Sequence, residues 1–133
     1  MRKEELIGNA MAVMKNSYSP YSGFCVGAAL LCKDGKVYTG CNVENGSFSV
    51  TNCAERSALF AAVSHGKREF AAMAIVGGKN GRVESYCPPC GVCRQALSEF
   101  CKKDFKIYLY NGTEIKSYTL EELLPMSFEL GQR

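Results

Sequence analysis

Cys53-Ala54-Glu55-Arg56 and, opening thirty-four residues after Glu55, Pro89-Cys90-Gly91-Val92-Cys93 are the two stretches on which the reading of this chain turns. Together they offer three thiols and one carboxylate. Three protein ligands leave the fourth position of a tetrahedral zinc open to water, which distinguishes catalytic zinc sites from closed structural ones. A carboxylate two residues from a ligand is placed to move protons to and from that water. Cys90 and Cys93 stand three apart and share one face of a helical turn, so Cys53 must come from a second helix and the two N-termini must converge. Cys53 and Cys90 both fall in the first turn of a predicted helix, where partial positive charge favours the thiolate that zinc requires. The spacing therefore predicts one Zn²⁺ per chain on Cys53, Cys90 and Cys93, with Glu55 as proton carrier.

Cys87 competes for the metal, because Cys87-Pro88-Pro89-Cys90 is also C-x-x-C. Two consecutive prolines cannot continue a helical turn from Cys87, whereas Gly91-Val92 can bridge Cys90 and Cys93. Cys90 and Cys93 are taken as ligands and Cys87 as a loop residue. The rival is a closed structural zinc on all four thiolates, which leaves Glu55 without a task. Three thiolates on Zn²⁺ sum to −1, and that excess blunts the metal's power to acidify water. Arg56 lies three residues after Cys53 on the same helical face and is read as the compensating donor to sulfur; the alternative is a solvated arginine. The single His65, beside Gly66, is read as a helix-terminal or solvated residue.

The rest of the composition narrows the class. At 133 residues the chain is expected to form one domain, 1–133, and 47% hydrophobic residues suffice for one core. A net charge of +3, with basic residues no denser than pairs such as Arg2-Lys3, argues against a nucleic-acid surface. No apolar run is long enough to span a bilayer, and the acidic, soon-interrupted start argues against a signal peptide. Eight cysteines without a secretion signal fit free thiols in a cytoplasmic protein better than a disulfide framework. Cys25, Cys32, Cys41 and Cys101 read as small core hydrophobes.

Periodicity predicts an amphipathic helix over residues 3–15, then a buried strand from Phe24 to Cys32. A hairpin turn at Lys33-Asp34-Gly35-Lys36 and a returning strand from Val37 to Val43 follow. Thr51 or Asn52 is expected to cap a helix from Cys53 to Ser64 that stops at Gly66. Met73 to Val76 reads as a short strand, 77–89 as loop, and Cys90 to Cys101 as a helix turning Val92, Ala96, Leu97 and Phe100 inward. Strands at Ile107–Tyr110 and Ile115–Tyr118 and a short helix from Leu120 to Leu124 close the chain. This interspersion predicts an α/β fold layered around a mixed sheet, without revealing strand order.

C-x-E followed by P-C-x-x-C is the signature of zinc nucleobase deaminases with Cys in place of His. The stretches from Tyr21 to Leu30, Gly40 to Asn45, Cys53 to Arg56, Pro89 to Gln95 and Glu122 to Phe128 make the chain similar to cytidine deaminases of the small homotetrameric type over nearly its whole length. The resemblance implies an α/β/α sandwich around a mixed five-stranded sheet. It implies that Phe24 packs on the pyrimidine ring, that Asn42 and Glu44 hydrogen-bond the ribose, chiefly its 3′-hydroxyl, and that Ala54 meets the base through its backbone. Glu55 would contact the ring as well as the water, and Phe128 would reach a neighbouring subunit's site. Phe48 stands where relatives often carry Tyr, and Tyr86-Cys87-Pro88 departs from the usual pattern. Each role has a plainer alternative: Phe24 as core, Asn42 to Asn45 as a polar turn, Phe128 packed on its own chain.

The expected activity is zinc-dependent hydrolysis of cytidine and 2′-deoxycytidine to uridine and 2′-deoxyuridine with release of ammonia, a pyrimidine-salvage reaction on a small nucleoside. Rivals are deamination of a nucleoside-like antibiotic such as blasticidin S, against which Asn42 and Glu44 argue, and a non-enzymatic zinc module. A thiol redox protein using Cys87 and Cys90 is the third.

Overall fold

The computed structural model describes residues 1–131. The first element is α1 (Lys3–Met14), followed by β1 (Phe24–Cys32) and β2 (Val37–Cys41). A 3₁₀ turn at Phe48–Val50 leads into α2 (Ala54–Ser64) and β3 (Phe70–Lys79). Then come α3 (Gly91–Phe100), β4 (Lys106–Tyr110), β5 (Ile115–Thr119) and α4 (Leu120–Leu123). The five strands form one sheet in the order β2-β1-β3-β4-β5. The β3–β4 pair is parallel and the other three pairs are antiparallel. A parallel pair needs a crossover, and α3 supplies it.

Period-two alternation divides the sheet's side chains between two faces. Ala29, Ala72, Ala74 and Val76 pack with Leu6, Ile7, Ala10 and Met14 of α1. Ala28, Leu30, Met73, Ile75, Ile107 and Leu109 pack with Ala58, Leu59 and Ala62 of α2 and Leu97 of α3. The result is the expected α/β/α layering. Small residues on the α1 face let that helix ride close: a Cβ at Gly27 would stand 2.1 Å from the Ala10 carbonyl oxygen. Gly40 of β2 does the same for α2, where a Cβ would lie 2.5 Å from Ala58 N and 2.8 Å from Ala54 O. The start of α2 is therefore seated directly on the sheet. Truncating Leu59, fully buried between these layers, costs about 2–5 kcal/mol on the usual scale for core Leu→Ala changes.

Four expectations need correction. Strand β3 spans ten residues, Phe70–Lys79, and runs through Gly77-Gly78; Gly78 marks close backbone approach, with Arg82 O only 1.7 Å from where its Cβ would be, and Gly77 makes room for side chains. Val92 is 61% exposed, because the inner face of α3 follows Cys93 and Leu97 one turn apart. Cys53 and Cys90 are the N-caps of α2 and α3, with extended backbone, and neither Thr51 nor Asn52 caps α2. Cys32 is buried, but Cys25, Cys41 and Cys101 are only half-buried.

Candidate active site

The N-termini of α2 and α3 converge as the spacing requires. Cys53 and Cys90 occupy the two caps, and Cys93 sits on the first turn of α3. Their sulfurs all lie within 4.8 Å of one another, and Cys53 Sγ is 3.8 Å from Cys90 Sγ. Two sulfurs about 2.3 Å from one tetrahedral ion stand about 3.8 Å apart, so the donor set fits zinc in both chemistry and spacing. Cys93 is buried, Cys53 half-buried and Cys90 exposed, so the cluster reaches from the core to the surface and leaves one side open. Cys87 is outside this group among the described residues. Its sulfur instead abuts β3, where a Cβ on Gly77 would be 2.8 Å from Cys87 Sγ and 3.0 Å from Phe24 Cε2.

The cluster's charge is managed locally. The Cys53 thiol is held down to about 5, first by its hydrogen bond with Cys93 and then by Arg56, and the same bond pushes Cys93 up. Arg56 Nη2 donates to Cys53 Sγ at 3.3 Å, so the expected arginine–sulfur contact is present. A divalent cation deprotonates coordinating thiols outright and makes three thiolates compatible. Glu55, on the first turn of α2, is only 5% exposed. Burial raises its carboxyl to about 7, and the Cys53 charge adds to the rise. A carboxyl poised near neutrality can both accept and return a proton.

The residues expected to face a nucleoside gather beside it. Val43 pairs its backbone with Asn52 through two 3.0 Å hydrogen bonds, which sets the segment from Asn42 to Glu44 against the residue just before Cys53. Asn42 is almost buried. Its Oδ1 accepts from Ser17 Oγ at 2.5 Å and Val26 N at 2.9 Å, and its Nδ2 donates to Phe24 O at 2.8 Å. One amide N–H of the pair remains for a ligand, and the rest of the side chain holds the start of β1, where Phe24 stands 39% exposed. Glu44 Oε1 accepts from Tyr21 N at 3.0 Å and Ser22 N at 3.1 Å, and Oε2 from Ser22 Oγ. An open cavity of about 360 Å³ lies between these loops, lined by Tyr21, Ser22, Glu44, Asn45, Phe48 and Thr51. Ala54 is fully buried, and its N–H, at the first helical position, has no partner within α2. Phe128 is 66% exposed, its carbonyl accepting from Gln95 Nε2 at 3.2 Å, and it does not line the cavity of its own chain. Ser17 and Ser22 escaped the sequence reading. Their task depends on a loop folding back over a strand, and only the stretch Tyr21-Ser22-Gly23-Phe24 hinted at it.

A family model described as the cytidine and deoxycytidylate deaminase zinc-binding region matches residues 1–109. The chain belongs to the cytidine and deoxycytidylate deaminase family. It is 48% identical over 129 residues to a cytidine deaminase of Halalkalibacterium halodurans, covering 96% of this chain and 95% of the relative. A cytidine deaminase of Sporosarcina psychrophila is 47% identical over 129 residues, covering 96% of this chain and 92% of the relative. In three dimensions the chain is similar to a crystal structure of cytidine deaminase from Burkholderia pseudomallei, with a TM-score of 0.89, 44% identity and coverage of 96% and 100% of the two chains. A blasticidin-S deaminase of Bacillus cereus is more distant, 33% identical over 107 residues and covering 77% of this chain. With the family comes one zinc per chain, which the three-cysteine cluster suits.

Proposed function

We propose that this chain catalyses the hydrolytic deamination of cytidine and 2′-deoxycytidine to uridine and 2′-deoxyuridine, releasing ammonia. The observation that carries the reading is the buried Glu55, raised to about 7, two residues after Cys53 of the three converging cysteines. Cys53, Cys90 and Cys93 hold the zinc. When bound, the metal supplies Lewis acidity that brings the pKa of a coordinated water toward about 7. Glu55 accepts a proton from the attacking water and delivers it to ring N3. It then takes the proton left on the new C4 hydroxyl and hands it to the amine, so that the C4–N bond breaks, ammonia leaves and the C4 carbonyl forms, and one carboxylate serves as base and then acid. Arg56 offsets the excess thiolate charge. Phe24 packs on the pyrimidine, the Ala54 backbone meets its edge, and Asn42 and Glu44 take the ribose hydroxyls.

The reading extends to assembly. Met126, Phe128 and Leu130 are exposed on a tail after α4, and Phe48, 77% exposed, stands at the cavity rim. Apolar groups left in water this way are better explained by a partner's surface. A homotetramer of single-domain chains, each lending Phe128 to a neighbour's site, accounts for them. None of the described helices is long and apolar enough to cross a membrane, and free thiols suit a cytoplasmic salvage enzyme acting on a free nucleoside.

Loss of cytidine's ultraviolet absorbance with purified protein, run beside zinc content per chain and light scattering, tests the whole reading. Zinc-loaded protein without turnover would leave a zinc module, and faster turnover of blasticidin S than of cytidine would overturn the substrate.

A further inference from the structure

Ser22 carries an unusual share of the contacts around the cavity. Its N–H and hydroxyl both donate to Glu44, and its hydroxyl oxygen accepts the Phe24 N–H at 3.0 Å. The residue thus ties the acid expected at the sugar to the ring expected at the base. Its carbonyl oxygen, in turn, accepts from Lys79 Nζ at 2.5 Å, across fifty-seven positions of sequence. Lys79 is the last residue of β3. The next residue, Asn80, donates its N–H to Gly23 O at 2.7 Å. Gly23 has φ +69°, and a Cβ there would stand 3.1 Å from Lys79 Nζ, so the lysine lies directly on the loop. The end of β3 staples residues 22 and 23 to the sheet.

We propose that Lys79 is a positioning residue for nucleoside binding, holding Ser22 and through it the Glu44 carboxylate in the orientation that meets the sugar. This rests on the reading of Glu44 as a partner of the 3′-hydroxyl. The physical argument is preorganisation. The segment between α1 and β1 has no strand or helix to stiffen it, so a loosened loop must be ordered by the ligand itself, at a cost in affinity. The charge of Lys79 also reaches the carboxylate: Glu44 is held below the usual range, first by the Ser22 hydroxyl and, among lesser causes, by Lys79. Lys79 has no place in the proton transfers, so its loss falls on binding.

The test is steady-state kinetics on cytidine and 3′-deoxycytidine with zinc-loaded full-length protein. Glu44→Ala is the reference and should collapse the preference for cytidine. Lys79→Met should raise KM for cytidine by about five- to tenfold with kcat within about twofold, and should reduce that preference in the same direction. Lys79→Arg should restore both, because a guanidinium can also donate to the Ser22 carbonyl. Ser22→Ala should resemble Lys79→Met, and the double variant should be less than additive. If Glu44→Ala leaves the preference intact, the reading of Glu44 falls and the proposal with it. If Glu44→Ala collapses it while Lys79→Met leaves both substrates unchanged, or weakens both equally, the proposal alone is overturned.

Discussion

The two halves of the site are built from different materials. The cysteine–glutamate half stands on helix ends pressed against the sheet: Ala54 and Cys93 are fully buried, and Gly40 leaves no room between β2 and the first turns of α2. The half proposed to meet the nucleoside stands on loops, a 3₁₀ turn and the very start of β1, where Tyr21, Phe24, Phe48 and Val50 are all exposed. Proton transfer needs atoms held within fractions of an ångström in a place that excludes water, and rigid elements supply that. A substrate that must enter and leave needs an open rim, and loops on a rigid scaffold supply that. The lesson is that the cysteine–glutamate cluster is local to one chain's fold, whereas the proposed recognition leans on tethers between loops and on a neighbour's surface.

The sharpest way to break this contrast is at the buried ligand. Cys93→Ala should lose the zinc and essentially all turnover, while Cys87→Ala, whose sulfur packs against Gly77 and Phe24, should keep its zinc. Metal content measured by emission spectroscopy decides it, and zinc loss from Cys87→Ala alone would show the ligand set to be wrong. Next comes Glu55→Gln. It should bind zinc normally and lower kcat by about 10²- to 10⁴-fold, the usual cost of losing a general acid–base group; near-normal turnover would remove Glu55 from the mechanism.

On the exposed half, deleting residues 126–133 should raise KM by roughly tenfold or more while leaving zinc in place, and should weaken the oligomer seen by light scattering. A fully active monomer at assay concentration would sink the shared-site reading. Arg56→Ala should slow turnover by about tenfold with most of the zinc retained, the low end of what is lost with partners of metal ligands. Unchanged kcat would return Arg56 to the role of a packing residue.

The smallest effect lies at α4, which carries the exposed tail. Thr119 and Glu122 form a reciprocal cap there. The Glu122 carboxyl is held below its usual range, first by the Thr119 backbone N–H and then by its hydroxyl. A carboxyl depressed by folding contributes stability above its unfolded pKa and loses it as the pH falls through its folded value. Glu122→Gln should therefore lower Tm slightly at neutral pH, and the gap from the parent protein should close in acid, where both side chains are uncharged. A gap that persisted there would show that the cap acts through shape and not charge.

Much of this molecule was readable from one dimension because its decisive features are local. The helical repeat alone puts Cys90 and Cys93 on one face and Glu55 beside Cys53, and alternation or turn chemistry marks β1, the Gly35 turn and α1. The burial of Glu55, the order β2-β1-β3-β4-β5 and the inward face of α3 were decided by packing. So were the N-cap positions of Cys53 and Cys90, which move only one residue from the expected place but change what their backbones can do. Asn42 divided between Ser17, Phe24 and Val26, and Lys79 resting on Ser22, lay wholly beyond sequence pattern. Such contacts join segments that no periodicity relates, and they exist only after the sheet has set the ends of β1, β2 and β3 side by side.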